Sequence, residues 1–256
     1  MAEISPAQSS LFLLFSSNIR SRGIVPKFKK GKISLEAMVE FDPEFTEVIF
    51  LDIECYVPPE DRQQSKGSMI YNPAKTDHFV LGGVFRRAFP RQDKIDPPWQ
   101  VWNWAKENEK TTLQQIYNYF NESWKMIEGR TKKIHPDLIL VGTGISRLDV
   151  PTLYVRSALH QIDAEEALYE TYFKTKIVDL GDVGIPLFGK NPEIYPLYPK
   201  PTNALMSKLQ IQGHKMSGKS VWELYDSQEF DAIKERTASE VADVIEIASR
   251  IVSHKF

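Results

Sequence analysis

The stretch VIFLDIEC, residues 48–55, predicts the strand around which the rest of the chain is organised. It is apolar on both of its alternating faces, which is typical of a central strand buried in a sheet. Asp52 and Glu54 are two residues apart, so their side chains point to the same face of that strand. Buried carboxylates repel each other and lose hydration unless a cation lies between them. Mg²⁺ and Mn²⁺ prefer carboxylate oxygens, so the pair is a candidate metal site.

The same two acids have a structural alternative. One could pair with a lysine or arginine while the other stays hydrated at the end of the strand. An Asp-x-Glu pattern is short enough to recur by chance, and for the pair alone this alternative is favoured. The metal interpretation therefore depends on acids elsewhere in the chain.

The composition is that of an ordinary globular protein. The chain has 256 residues, of which 42% are hydrophobic and 26% charged, and its net charge is −2. This balance argues against global disorder and against a molecule that binds nucleic acid through overall positive charge. A single cysteine, Cys55, excludes an intramolecular disulfide framework and predicts a reducing, cytoplasmic location. The only early apolar run, residues 11–15, is too short to span a bilayer, so we expect no membrane segment.

We predict two parts in the chain: an N-terminal extension over residues 1–44 and one domain over residues 45–256. The extension contains a basic patch, residues 27–32, which could contact a phosphate backbone or be a solvated loop. The apolar run in the extension could pack on the domain, on a second copy of the chain or on a protein partner. Residues 56–78 form a long polar connection of the kind that often acts as a lid.

The order of predicted elements in the domain indicates an α/β fold with a mixed sheet flanked by helices. We expect strands at residues 47–54, 79–89, about 99–104, 136–142 and 176–180. We expect helices at residues 111–129, from Asp149, after Asp163, from Ser220 and at about 238–253.

A further acid, Asp149, follows the predicted strand 136–142 after a glycine-containing turn. It stands where a helix begins, so taken alone it is a plain helix N-cap. Two motifs in this order, LDIE at residues 51–54 and LDVPTL at residues 148–153, change that interpretation. Together they resemble the DEDD 3′–5′ exonucleases, which have an RNase H-like fold, and the match covers residues 46–254. The segments KIVDL, residues 176–180, and KSVWEL, residues 219–224, are similar to the branch related to the proofreading domain of family-B DNA polymerases.

The third motif of that branch, Tyr-x-x-x-Asp on the last helix, is degenerate here. Matching the helix as a whole places Glu240 at the position of the acid, with Asp243 as the alternative. A helical wheel favours Glu240, because it borders the apolar stripe while Asp243 lies further toward solvent. Arg236 stands where the family has tyrosine, and an arginine cannot act as a general base. Gly144 likewise replaces a polar residue that the second motif usually has.

The resemblance implies that Asp52, Glu54, Asp149 and Glu240 are catalytic and hold two Mg²⁺ or Mn²⁺ ions. It implies hydrolysis of phosphodiester bonds at the 3′ end of single-stranded nucleic acid, with DNA favoured over RNA and a role in repair. Substrate contacts would come from Arg236, Arg147, Ser146 and Lys219. Because protons compete with metal ions for carboxylates, we expect metal affinity to fall at acid pH. The alternative function is a catalytically impaired RNase H-like domain that binds nucleic acid or a protein, which the Arg236 and Gly144 departures favour.

Overall fold

The computed structural model describes residues 45–62, 70–106, 108–128, 137–189, 198–213 and 217–253. The extension predicted for residues 1–44, with its basic patch and apolar run, lies outside this part of the chain. Within it, the strands are β1 (Thr46–Tyr56), β2 (Phe79–Phe89), β3 (Lys94–Ile95), β4 (Trp99–Trp102), β5 (Asp137–Gly142) and β6 (Lys176–Asp179). The helices are α1 (Asn103–Lys106), α2 (Glu109–Glu128), α3 (Asp149–Leu159), α4 (Glu165–Phe173), α5 (Leu180–Val183), α6 (Thr202–Lys208), α7 (Ser220–Asp226) and α8 (Phe230–Ser253). Short 3₁₀ turns occur at Pro59–Asp61, Pro90–Gln92 and Ile185–Phe188.

The chain folds as an α/β structure in which helices flank a mixed sheet. Among the described residues the sheet has six strands in the order β3-β2-β1-β5-β6, and β4 also pairs with β2. Strand β1 is antiparallel to β2 and parallel to β5, and β6 continues the parallel part. The predicted α/β class with a mixed sheet is therefore confirmed. The carboxyl ends of β1, β5 and β6 lie at one edge of the sheet.

Strand β1 is central because its alternating residues enter two separate cores. Val48 and Phe50 pack into the core that contains α8, whereas Ile49 and Leu51 pack into the core that contains α2 and α3. All four side chains are at most 1% exposed. Since Asp52 and Glu54 continue the first series, the period of two directs both carboxylates toward α8.

Helix α8 runs from Phe230, eight residues before the predicted start near residue 238. Its first residue stacks on Trp104 with ring centroids 4.7 Å apart, so a contact with a distant part of the chain stabilises the first turn. Ile233, Val241 and Val244 are buried against the sheet at helical spacing. The earlier start places residue 236 inside a regular helix, one turn before residue 240.

The Gly82-Gly83 pair lies where β2 changes register against β1. Glu54 pairs with Gly82 and Cys55 with Val80, so the shift occurs directly beside the second acid of β1. Gly82 has φ +144°, and a Cβ there would lie 2.1 Å from the carbonyl oxygen of Val101. Only glycine fits this close approach of β4 to β2.

No helix in the described part of the chain is both long enough and apolar enough to cross a membrane.

Candidate metal site

Three buried carboxylates meet where β1 faces α8. Asp52, Glu54 and Glu240 each place a carboxylate oxygen within 4.8 Å of the other two. The three residues are 7%, 7% and 4% exposed. The strand's period of two brings the first two together, and the helix contributes the third from 186 residues further along the chain. Oxygen atoms of this kind, at this spacing, are suitable ligands for a hard divalent cation.

The alternative fourth acid, Asp243, does not belong to this group. It lies on α8 three residues after Glu240 and is half-buried rather than buried. Three residues correspond to about 300° of rotation on an α-helix, so its side chain leaves the helix about 60° away from that of Glu240, on the less buried side. The geometry thus brings Glu240, and not Asp243, to Asp52 and Glu54.

Arg236 is a cation that pairs with two of these acids within the protein. Its Nη1 donates to Glu54 Oε1 at 2.6 Å, and its Nη2 lies 2.7 Å from Glu240 Oε1. The guanidinium side chain is only 6% exposed, so both ion pairs are shielded from water. The contact with Glu240 lies within α8, and the contact with Glu54 joins α8 to β1. Arginine remains protonated at any ordinary pH, so this group is a permanent positive charge.

Thr237 is a further member of the site that the sequence did not indicate. Its Oγ1 lies 3.0 Å from Glu54 Oε1 and 2.9 Å from the carbonyl oxygen of Ile233. The side chain is fully buried. Glu54 Oε1 is therefore held by two neighbouring residues of α8, which fixes the orientation of its carboxylate. A threonine in an amphipathic helix carries no sequence signal of such a contact.

Asp149, which follows the turn between β5 and α3, contacts the backbone of β1. It is the first residue of α3, it is 3% exposed, and its Oδ1 accepts a hydrogen bond from the Ile53 backbone N–H at 3.0 Å. Ile53 lies between the two acids of β1, so Asp149 is tied to the strand that carries them. Desolvation, together with the negative charge of Asp149, raises the pKa of the Cys55 thiol, which keeps that thiol protonated.

Among the contacts described for this part of the chain, the acids at this position outnumber the cations that pair with them. Asp52, Glu54 and Glu240 carry three negative charges, and Arg236 supplies one positive charge. Asp149, the other predicted ligand, binds the backbone of the same strand, but its carboxylate is not one of the three that lie within 4.8 Å of one another. Buried net charge of this size is costly, and a divalent cation would reduce it. The donor set therefore fits a hard divalent cation that shares Glu54 and Glu240 with Arg236.

The other residues expected to contact substrate have different surroundings. Ser146 donates its hydroxyl to Asp179 Oδ2 at 2.7 Å, which fastens the turn after β5 to the end of β6. Arg147 is half exposed and forms a 3.3 Å ion pair with Asp182. Lys219 is exposed at the turn before α7. None of these three contacts the acids of β1 through a described hydrogen bond or ion pair; Arg147 instead lines a neighbouring cleft.

In a second cluster of possible ligands, Asp61, Asp77 and His78, the first and last residues are hydrogen-bonded to each other. The ligand atoms of this cluster also lie within 4.8 Å of one another. His78 Nδ1 accepts the N–H of Asn72 at 2.9 Å, so a neutral ring carries its proton on Nε2, which lies 2.8 Å from Asp61 Oδ2. A metal-binding histidine instead donates from its second nitrogen. The Nζ of Lys75 also lies 2.5 Å from Asp61 Oδ2, so this lysine supplies a positive charge beside the carboxylate.

Comparison with known proteins does not place the chain in a family. No family model matches the sequence, and no curated protein is significantly similar to it.

Proposed function

We propose that the protein is a metal-dependent 3′–5′ exonuclease with an RNase H-like domain. The observation that carries the proposal is the convergence of Asp52, Glu54 and Glu240 within 4.8 Å, buried, at the carboxyl-end edge of a mixed sheet. The strand order, with β1 antiparallel to β2 and parallel to β5, is compatible with that fold. The substrate is a single-stranded nucleic acid with a free 3′ end, and DNA is favoured over RNA.

Asp52, Glu54 and Glu240 would hold the Mg²⁺ or Mn²⁺ ions, and Asp149 would support them from α3. When bound, divalent ions in such sites activate a water molecule and stabilise the leaving oxygen of a phosphodiester. Neighbouring residues of the chain hold these carboxylates in position. Thr237 and Arg236 fix the carboxylate of Glu54, and the hydrogen bond from Ile53 fixes that of Asp149.

Arg236 has a second role in this proposal. Its guanidinium is a fixed positive charge beside the acids, where it can donate to a phosphate oxygen of the scissile linkage. It cannot accept a proton from water, so no general base occupies the position on α8 one turn before Glu240. Low intrinsic activity is the expected consequence.

The second candidate function is a domain that binds single-stranded nucleic acid without cleaving it. The observation that favours it is the pair of contacts from Arg236 to Glu54 and Glu240, which neutralises part of the charge that would otherwise attract a cation.

The deciding experiment follows the length of 5′-labelled single-stranded DNA and RNA oligonucleotides incubated with the full chain and Mn²⁺. We expect a ladder of products shortened from the 3′ end. Asp52→Asn should lower the rate by at least about 100-fold, since loss of an outer contact to a metal ligand alone costs about 10–100-fold. Glu240→Gln should have a similar effect, whereas Asp243→Asn is the matched control on the same helix and should retain the wild-type rate.

Two outcomes would contradict the proposal. Full activity in Asp52→Asn would show that the nuclease activity arises elsewhere. Binding of the oligonucleotide by the wild type without any shortening would instead support the second candidate.

A further inference from the structure

A cleft of about 680 Å³ opens at the edge of the sheet where β5 and β6 end. Phe50 pairs with Val141 and Gly142 with Asp179, so β1, β5 and β6 reach this edge in register. Asp52 lies two residues beyond Phe50, and the cleft begins with Thr143, two residues beyond Val141. Crevices outside the carboxyl ends of parallel strands are frequent ligand sites in α/β proteins, and this volume lies within the usual range of ligand pockets.

The base of the cleft is held rigidly by Asp179. Its Oδ1 accepts the backbone N–H groups of Gly144 at 2.9 Å and Gly181 at 3.0 Å. Its Oδ2 accepts the N–H of Ser146 at 3.2 Å and the hydroxyl of the same residue at 2.7 Å. A carboxylate with four donors is well compensated, so its charge repels an incoming anion less than an exposed carboxylate would.

Two cationic residues, Arg147 and Lys200, line the cleft. Lys200 is unusually buried for a lysine, with 7% of its surface exposed. Its Nζ lies 5.3 Å from the centre of the Phe188 ring. Its backbone N–H donates to the carbonyl oxygen of Gly181 at 2.9 Å. Arg147 lies on the turn after β5, and its ion pair with Asp182 is exposed and therefore weak. A phosphate group could compete with such an exposed pair.

An exposed aromatic ring completes the lining. Tyr198 is 68% exposed and lies at the cleft. Gly144, another lining residue, has φ +79° and no atom within 4 Å of the position that a Cβ would occupy, so the space at this residue is open. An aromatic face next to two cations is the combination by which proteins bind single-stranded nucleic acid without sequence preference.

We propose that this cleft binds a nucleotide of the substrate strand on the 5′ side of the reacting one. Tyr198 stacks on its base, and Arg147 and Lys200 contact its phosphates. The inference rests on the proposed function for the identity of the strand. It differs from that function because it concerns binding of the strand and requires neither metal ions nor hydrolysis.

The test measures the anisotropy of a fluorescein-labelled short oligothymidylate titrated with the full chain in EDTA, where the metal-dependent reaction cannot occur. Tyr198→Ala and Lys200→Met should each weaken binding by about tenfold, the typical loss on removing one stacked base or one phosphate contact. Lys200→Met should also reduce the dependence of the affinity on salt concentration, because one counterion-releasing contact is lost.

Two matched controls come from the same chain. Lys208 also lies over the Phe188 ring, at 5.9 Å, but it is absent from the lining of the cleft, so Lys208→Met should bind like the wild type. Tyr169 is another exposed tyrosine, on α4, and Tyr169→Ala should likewise retain the affinity. Circular dichroism checks folding. If the Lys200→Met variant does not fold, the affinities of Tyr198→Ala and of Arg147→Gln, both at exposed residues, decide whether the cleft binds the oligonucleotide.

The outcomes separate this inference from the proposed function. Weaker binding in the cleft variants, without strand shortening by the wild type, would support the cleft and overturn the exonuclease. Strand shortening by the wild type, with equal affinities in cleft variants and controls, would support the exonuclease and overturn the cleft. Failure of the wild type to bind the oligonucleotide at all would also overturn the cleft.

Discussion

Arg236→Met is the substitution that most directly tests the charge balance of the acidic site. The guanidinium lies 2.6 Å from Glu54 Oε1 and 2.7 Å from Glu240 Oε1, within a side chain that is 6% exposed. Methionine keeps a long unbranched side chain with good helix propensity and removes only the charge and its donors. The variant therefore isolates the electrostatic contribution of residue 236.

The expected magnitude follows from burial. Removing one partner of a buried ion pair costs about 3–5 kcal/mol, because the remaining charge is uncompensated. For a chain of this size, each kcal/mol lowers the melting temperature by about 2–4 °C, which gives about 6–20 °C in the absence of metal. A divalent cation that neutralises the same carboxylates should restore much of the free energy of unfolding that the variant has lost. By linkage, Mn²⁺ should bind the variant tighter than the wild type by about two orders of magnitude.

Thermal melting in EDTA and in Mn²⁺, together with calorimetric titration of Mn²⁺, measures both effects. Arg250→Met is the matched control. Arg250 is on the same helix and pairs with Glu246 at 2.7 Å with the same spacing of four residues, but it is 53% exposed. An exposed pair of this kind contributes only about 0.3–0.5 kcal/mol, so this variant should melt and bind Mn²⁺ like the wild type.

One result would refute this reasoning. If Arg236→Met melts at a lower temperature but binds Mn²⁺ no more tightly than the wild type, the three acids do not form a cation site. Arg236 would then be a purely structural partner of Glu54 and Glu240.

Three further substitutions test other parts of the structure. Gly82→Ala would bring a Cβ to 2.1 Å from a carbonyl oxygen of β4, so we expect a loss of at least about 1–3 kcal/mol in urea unfolding. Asp179→Asn removes an acceptor oxygen from a carboxylate that binds four donors, so urea unfolding should show a loss of at least about 1–3 kcal/mol. The hydrogen bond from Arg62 lowers the pKa of Asp226 below its ordinary value of about 3.9. Because the folded-state pKa is the lower one, this stabilisation is present above about pH 4 and is lost as the pH falls through the folded value. Melting curves of Asp226→Asn and wild type should therefore differ near neutral pH and converge in acid.

Each of these has a clear contrary outcome. An unchanged unfolding midpoint in Gly82→Ala would mean that β4 can move away from β2 without cost. Wild-type stability of Asp179→Asn would mean that its donors find other acceptors. A difference in melting that persists equally from neutral pH to below pH 3 would assign the effect of Asp226→Asn to packing and not to charge.

Several features were predictable because they depend on local periodicity. The alternation in residues 48–55 predicted a buried strand with Asp52 and Glu54 on one face, and β1 has this arrangement. The helical wheel favoured Glu240 over Asp243 as the buried acid, in agreement with their burial. In both cases the backbone of a single element fixes the relative directions of side chains a few residues apart.

The ends of elements were less predictable, because they depend on contacts with other elements. Thr111 was expected to begin a helix, but α2 begins at Glu109, and the N–H of Thr111 instead donates to Asn108 Oδ1 at 2.8 Å. Glu109 is buried and pairs with Arg156 of α3, 47 residues away. The short strand β3 was not predicted, since two residues carry no periodicity.

The sequence by itself determined which acids share a face of β1 and which acid of α8 points inward, since both follow from the geometry of one strand or one helix. Only the tertiary structure decided that Glu240 meets Asp52 and Glu54, that Arg236 joins Glu54 to Glu240, and that Asp149 binds the backbone of Ile53. Apart from the pair on α8, these contacts join residues 96 to 188 positions apart, so they depend on how α3 and α8 pack against the sheet. Periodicity fixes the direction of a side chain, whereas packing between elements fixes the group that it meets.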